Sequence, residues 1–215
     1  MPTKRFDAVV FDLDGTLIDT EALCNETGVA ACAALGLPVS IGFFESLAGI
    51  DDDTRVRMIA AEVGQPVDRD AFLAEWDRLC IDRFRRGVPM KPGVPEVFGR
   101  LSAAGLPLAI CTSSRRPMAD AKIGAAGFGG AFAAVITVDD VTDPKPHPAP
   151  YLAAARALGA APERTLAIED SDTGAASAVA AGMTVIQVPD QHPPKSARAD
   201  LVAGTIAEGL AAFGL

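Results

Sequence analysis

The chain has 215 residues, of which 49% are hydrophobic and 6% aromatic, and its formal net charge is −9. That length suits one large domain or one domain carrying an insertion, and the composition excludes a disordered or fibrous chain. The acidic balance argues against nucleic acid or an anionic membrane as the main partner.

The cysteines, Cys24, Cys32, Cys80 and Cys111, form no Cys-x-x-Cys pair, and His147 and His192 lie far along the chain. Buried reduced thiols are expected rather than a zinc site. The apolar run after Lys4 and Arg5 is too short for a signal peptide and ends in Asp12. The longest apolar stretch, residues 124–138, is rich in Gly and falls short of a membrane span. A cytoplasmic protein is the expectation.

In chain order, Ala8-Val9-Val10-Phe11 is a short continuous apolar run, the mark of a strand covered on both faces. Asp12-Leu13-Asp14-Gly15 follows at once. Residues i and i+2 of an extended chain point the same way, so Asp12 and Asp14 share a heading where Gly15 lets the chain turn. Two converging carboxylates are costly unless a cation or a proton offsets their repulsion. A solvated acidic turn is the plainer reading. A calcium loop is disfavoured, because the third acidic ligand and the closing Glu are missing.

From residue 21 to 86 the pattern is helical. Helices are expected over 21–35, closed by Gly36-Leu37-Pro38, over 41–48, and from Asp51-Asp52-Asp53 to Gly64. Another, over 68–86, carries Phe72, Trp76, Leu79, Cys80 and Phe84 at helical spacing, a core stripe. From Met90 onward helix and strand alternate: helix 95–104, strand 106–111, helix 117–126, strand 134–138, helix 148–158, strand 166–168, helix 174–181 and strand 184–188. Residues 201–213 close the chain. Repeated βα units imply an α/β fold, a Rossmann-like doubly wound parallel sheet with helices on both faces. The all-helical block is then an insertion, which gives a core of residues 1–18 and 90–215 and a helical cap of residues 19–89.

In such sheets ligands bind beyond the carboxyl ends of the strands. There the sequence places Asp12 and Asp14, then Thr112-Ser113-Ser114 before a helix N-terminus, then Asp139-Asp140 with Lys145 in a Pro-rich turn, and then Glu169-Asp170-Ser171. Carboxylates, hydroxyls, a lysine and a helix N-terminus together describe Mg²⁺ plus a phosphate. Asp19, Asp139, Asp140 and Asp172 read as caps, turn residues or supporting groups. His147, between prolines, is a poor general base, and Cys111 reads as core.

These clusters, in this order, resemble the haloacid dehalogenase superfamily in its helical-capped phosphatase and phosphomutase-like branch, the beta-phosphoglucomutase-like hydrolases. The matching residues are Asp12-Leu13-Asp14-Gly15-Thr16-Leu17, Thr112, Lys145-Pro146-His147-Pro148, and Glu169-Asp170-Ser171 with Gly174 and Ala180-Ala181-Gly182-Met183 beyond. The resemblance implies that Asp12 is a nucleophile forming an aspartyl-phosphate and Asp14 an acid/base. Thr112, the Ser113 backbone and Lys145 would hold the phosphoryl group. Mg²⁺ would lie on Asp12, the Asp14 backbone carbonyl and Asp170, with Glu169 bound directly or through water. In relatives, cap residues enter the site at a turn matching Gly49-Ile50-Asp51, so Gly49, Asp51 and Arg55 are candidate substrate contacts, with helix capping as the competing role.

The resemblance favours hydrolysis of a small phosphate ester such as a sugar phosphate or phosphoglycolate. Mutases of this branch usually carry a cap-side histidine about twelve residues after the nucleophile, where this chain has Cys24. A dehalogenase and a non-catalytic phosphate-binding protein fit less well. A cap that closes over the site suits a small phosphorylated metabolite as partner, and a monomer or weak dimer is expected.

Overall fold

A strand of unbroken apolar residues is stable only between two covering layers. The computed structural model, which describes residues 6–48, 50–128, 130–190, 193–196 and 198–215, buries its central strands in that way. Strand β1 (Ala8–Phe11) is followed by helices α1 (Glu21–Ala34), α2 (Ile41–Glu45), α3 (Asp52–Val63) and α4 (Arg69–Phe84). Then come α5 (Val94–Ala103), β2 (Leu108–Cys111), α6 (Arg116–Ala126), β3 (Ala134–Ile136) and α7 (Ala149–Ala157). The chain finishes with β4 (Thr165–Glu169), α8 (Asp172–Ala180), β5 (Thr184–Gln187), β6 (Leu201–Val202) and α9 (Ile206–Ala212). It divides into two compact units, Met1–Asp19 with Pro89–Leu215, and Thr20–Val88.

The first unit holds a six-stranded sheet in the order β3-β2-β1-β4-β5-β6, parallel throughout. Alternate residues of the strands serve opposite faces. Val10, Ala109, Cys111, Ala167 and Val185 pack with Tyr151, Ala154 and Ala155 of α7 and Ala175 and Ala178 of α8. On the other face Phe11 meets Phe98 of α5 edge-on, with ring centroids 6.0 Å apart. The order reverses at β1, whose neighbours are β2 and β4, and a crevice at such a switch point is where these sheets bind ligands.

Two sequence expectations change. Glu169, expected after its strand, is the last residue of β4 and lies in register with Gln187. Residues 201–213 are a short strand and a helix, and β6 pairs through Ile186↔Leu201 and Gln187↔Val202. A strand of two residues is too short for periodicity to reveal. Among the described residues no helix is long and apolar enough to cross a membrane.

The second unit is a small helical bundle with its own core of Ala31, Cys32, Leu37, Phe44, Leu47, Val56, Ile59 and Phe72. Asp51 and Asp68 cap α3 and α4, accepting from the backbone N–H of Thr54 and Ala71. Trp76 packs edge-on against Phe44 at 5.3 Å, and its indole N–H donates to the Cys24 carbonyl at 3.0 Å. Gly28 lies mid-helix, where glycine is unfavourable. A Cβ there would sit 2.1 Å from Cζ of Phe44. Gly28→Ala is therefore expected to destabilise the helical unit by about 1–3 kcal/mol through overpacking, despite the better helix propensity of alanine; urea unfolding followed by circular dichroism checks it.

Candidate active site

The carboxyl ends of β1, β2 and β4 bring the polar clusters together. Asp12 directly follows β1, and its N–H donates to the Ile168 carbonyl of β4 at 2.9 Å. Lys145 is drawn under these strand ends. Its Nζ donates to Asp12 Oδ1 at 2.7 Å, Glu169 Oε1 at 2.6 Å and the Cys111 carbonyl at 2.8 Å. The Lys145 side chain is only 4% exposed and that of Glu169 is fully buried, so neither charge could be kept there without the other. Tyr151 completes the arrangement from α7, donating to Glu169 Oε1 at 2.5 Å, and Ser171 donates to Glu169 Oε2 at 3.1 Å.

Glycines give this cluster room. A Cβ on Gly174 would fall 1.9 Å from Glu169 Oε1, and one on Gly15, whose φ is +79°, would fall 2.4 Å from Asp170 Oδ2. Both positions require the bare backbone.

Asp12, Glu169 and Asp170 each offer a carboxylate oxygen within 4.8 Å of the others. Three carboxylates face one ammonium, so the group carries an excess of negative charge. Burial pushes the Asp12 carboxyl well above its usual range; Lys145 pulls it down, while Glu169 and Asp170 add to the rise. Burial, and then the charge of Glu169, pushes Asp170 up to about 7. For Lys145 burial acts downward, but Asp12 and Glu169 outweigh it and hold the ammonium above its ordinary range. Hard oxygen donors with surplus negative charge fit a divalent cation such as Mg²⁺.

Asp14 heads the same way along the chain but has other partners. Lys122 Nζ contacts its Oδ1 at 2.8 Å and Oδ2 at 2.9 Å, and the Ser114 hydroxyl donates to Oδ2 at 3.1 Å. Thr112 Oγ1 accepts from the Ser114 N–H at 3.0 Å. A cleft of about 330 Å³ opens here, with Asp12, Asp14, Thr112, Ser113, Lys145 and Asp170 among its walls.

The remaining expected site residues have different surroundings. Gly49 lies outside the described residues, as does His192. Asp51 and Arg55 belong to the helical unit. There Asp51 caps α3, and Arg55 pairs with Asp52 at 2.7 Å, donates to the Ile50 carbonyl at 2.8 Å and stacks 4.8 Å over the Trp76 ring. The N-terminus of α6 is less open to an anion than expected, because Asp139 accepts from the Arg116 N–H at 2.8 Å. Asp140 closes a capping box with Thr137, and Asp172 accepts from Gln187 and from the Lys195 N–H. Cys111 is core.

Lys122 and Tyr151 escaped the sequence reading. Their signal was present but inverted: Lys122 sits in the buried stripe Ala119, Lys122, Ala126 of α6, a charge where an apolar residue belongs. Tyr151 sits in the buried face of α7 and looks like ordinary core.

The sequence pattern of the haloacid dehalogenase-like hydrolases matches residues 9–188. The chain belongs to that family. It is 34% identical to protein CbbY of Rhodobacter capsulatus, over 86% of each chain. It is 33% identical to the phosphoglycolate phosphatase of Escherichia coli K12, over 81% of this chain and 77% of that one. The crystal structure of CbbY from Rhodobacter sphaeroides in complex with phosphate superposes with a TM-score of 0.80 at 27% identity, covering 98% of this chain and 100% of that one. A mutant of that protein in complex with xylulose-(1,5)bisphosphate gives 0.77 at 27% identity, over 94% and 96%.

The raised Asp170 carboxyl has a measurable consequence for this hydrolase. Its value in the folded chain, about 7 against an ordinary 3.8, means that the folded state binds more protons between those limits. The stability it confers is full below about pH 4 and is lost as pH rises through about 7. Protein kept metal-free by a chelator is therefore expected to lose thermal stability between about pH 5 and pH 8, and Asp170→Asn to lose less; calorimetry at the two pH values checks the difference.

Proposed function

We propose that the chain is a Mg²⁺-dependent phosphatase that hydrolyses a small phosphate ester, such as a sugar phosphate or phosphoglycolate, through an aspartyl-phosphate on Asp12. The observation that carries this reading is Asp12 itself, a carboxylate on the cleft wall, fixed by Lys145 at 2.7 Å and grouped with Asp170 and Glu169. The names of relatives support it, since one is a phosphoglycolate phosphatase and another was solved with phosphate.

In the first half-reaction an Asp12 oxygen attacks phosphorus and the bond to the leaving alkoxide breaks, while Asp14 gives that alkoxide a proton. In the second, Asp14 takes a proton from water, the water oxygen attacks phosphorus, the Asp12–phosphorus bond breaks and inorganic phosphate leaves. Thr112, the Ser113 N–H and the Lys145 ammonium hold the phosphoryl oxygens and stabilise their charge. The carboxylates of Asp12 and Asp170 and the Asp14 carbonyl would hold Mg²⁺, which when bound offsets phosphate charge. Glu169 Oε1 accepts from Lys145 and Tyr151 and Oε2 from Ser171 alone, so Oε2 keeps a lone pair with which Glu169 would reach the ion directly or through water. Tyr151 keeps that buried carboxylate satisfied.

Hydrolysis is favoured over phosphoryl transfer between positions of one sugar because Cys24 stands where mutases of this branch carry a histidine. A small phosphorylated metabolite, without nucleic acid or membrane, is the partner this reading assigns, and a cytoplasmic monomer or weak dimer its setting.

Purified protein is expected to release inorganic phosphate from p-nitrophenyl phosphate only with Mg²⁺, and Asp12→Asn to lower kcat by about 10³-fold or more. Turnover that persists in EDTA overturns the metal-dependent mechanism. In a panel of small phosphate esters, phosphate without isomerised product is expected; isomerised product without phosphate makes the protein a mutase.

A further inference from the structure

Lys122 is a lysine in the wrong place. It lies in the apolar stripe of α6 between Ala119 and Ala126, and its side chain is 7% exposed, against 32% for Asp14. A buried ammonium is retained only where partners meet its charge and its donors. Its ammonium meets Asp14, at 2.8 Å on Oδ1 and 2.9 Å on Oδ2, and the Ser114 hydroxyl at 2.9 Å. Asp14 and Ser114 are on the cleft wall, while Lys122 stands behind them.

A half-exposed aspartate on a turn has three staggered side-chain headings available. Here two donors from one helix and the loop before it grip the same carboxylate, and the stem of one is buried in the stripe of α6 that holds Ala119 and Ala126. Holding a reacting group in one heading lowers the barrier without touching substrate. We propose that Lys122 is a positioning residue that fixes the heading of the Asp14 carboxylate toward the cleft. This rests on the phosphatase reading for the role of Asp14, and not for the contact itself.

A positioning role gives a signature that simple loss of structure does not. Asp14 protonates the leaving group, which matters for an alkoxide and little for p-nitrophenolate. In Lys122→Met the first-turnover rate of alcohol release is expected to fall about 10- to 100-fold for an alkyl phosphate and less than about 3-fold for p-nitrophenyl phosphate, with KM unchanged within about 3-fold. Lys122→Arg, which returns a charged donor, is expected to recover part of the loss. Equal losses on both esters, or a change confined to KM, would overturn the proposal. Crystal structures of metal-free wild type and Lys122→Met supply an arm that needs no turnover: Asp14 leaves its heading beside Ser114 in the variant if the proposal holds, and an unmoved Asp14 overturns it. If wild type releases no phosphate from any ester, the phosphatase reading fails, and this structural arm alone decides the role of Lys122.

Discussion

The buried contact of Lys145 with Asp12 and Glu169 organises the core unit. One ammonium is shared between a carboxylate that directly follows β1 and one that ends β4, the two strands flanking the point where the sheet order reverses. Desolvating such charges is expensive, and breaking a buried pair by removing one member commonly costs about 3–5 kcal/mol. The site is thus tied to the fold: the strands must end in register for the charges to meet, and the charges punish any other register.

The surplus of negative charge sets what the cluster can hold. Lys145 satisfies part of the demand of Asp12, Glu169 and Asp170, and the remainder shows in the raised carboxyls of Asp12 and Asp170. A site of this kind suits a cation, and a cation together with Lys145 suits an anionic substrate. Asp14 is kept apart from that charge by a separate lysine on a separate helix. Two aspartates one residue from a shared neighbour can then do different work, because each has its own cationic partner.

The rest of the core unit supports this economy of space. Gly15 and Gly174 let backbone approach Asp170 and Glu169 where any side chain would collide. Tyr151 fills the layer beneath, with its ring 5.0 Å from the Lys145 ammonium and its hydroxyl on Glu169. The helical unit keeps its polar residues busy at home: Asp51 caps a helix and Arg55 braces Ile50, Asp52 and Trp76.

The order of strands and helices was legible in the sequence because unbroken apolar runs such as Ala8-Val9-Val10-Phe11 and glycine or proline stops are local signals. So were the positions of Asp12, Asp14, Thr112 and Asp170, since each stands close after a strand that the pattern itself marks, while Lys145, well beyond β3, was marked by its Pro-rich turn. Short β6 left too little periodicity to read, and the strand end at Glu169 fell one residue later than charge suggested. Lys122 and Tyr151 sit at helical positions whose spacing predicts core, and only the partners across the fold, Asp14 and Glu169, give them a polar role. Local sequence determines which residues a strand or helix presents; what a buried charge meets is a long-range pairing that only the tertiary structure decides.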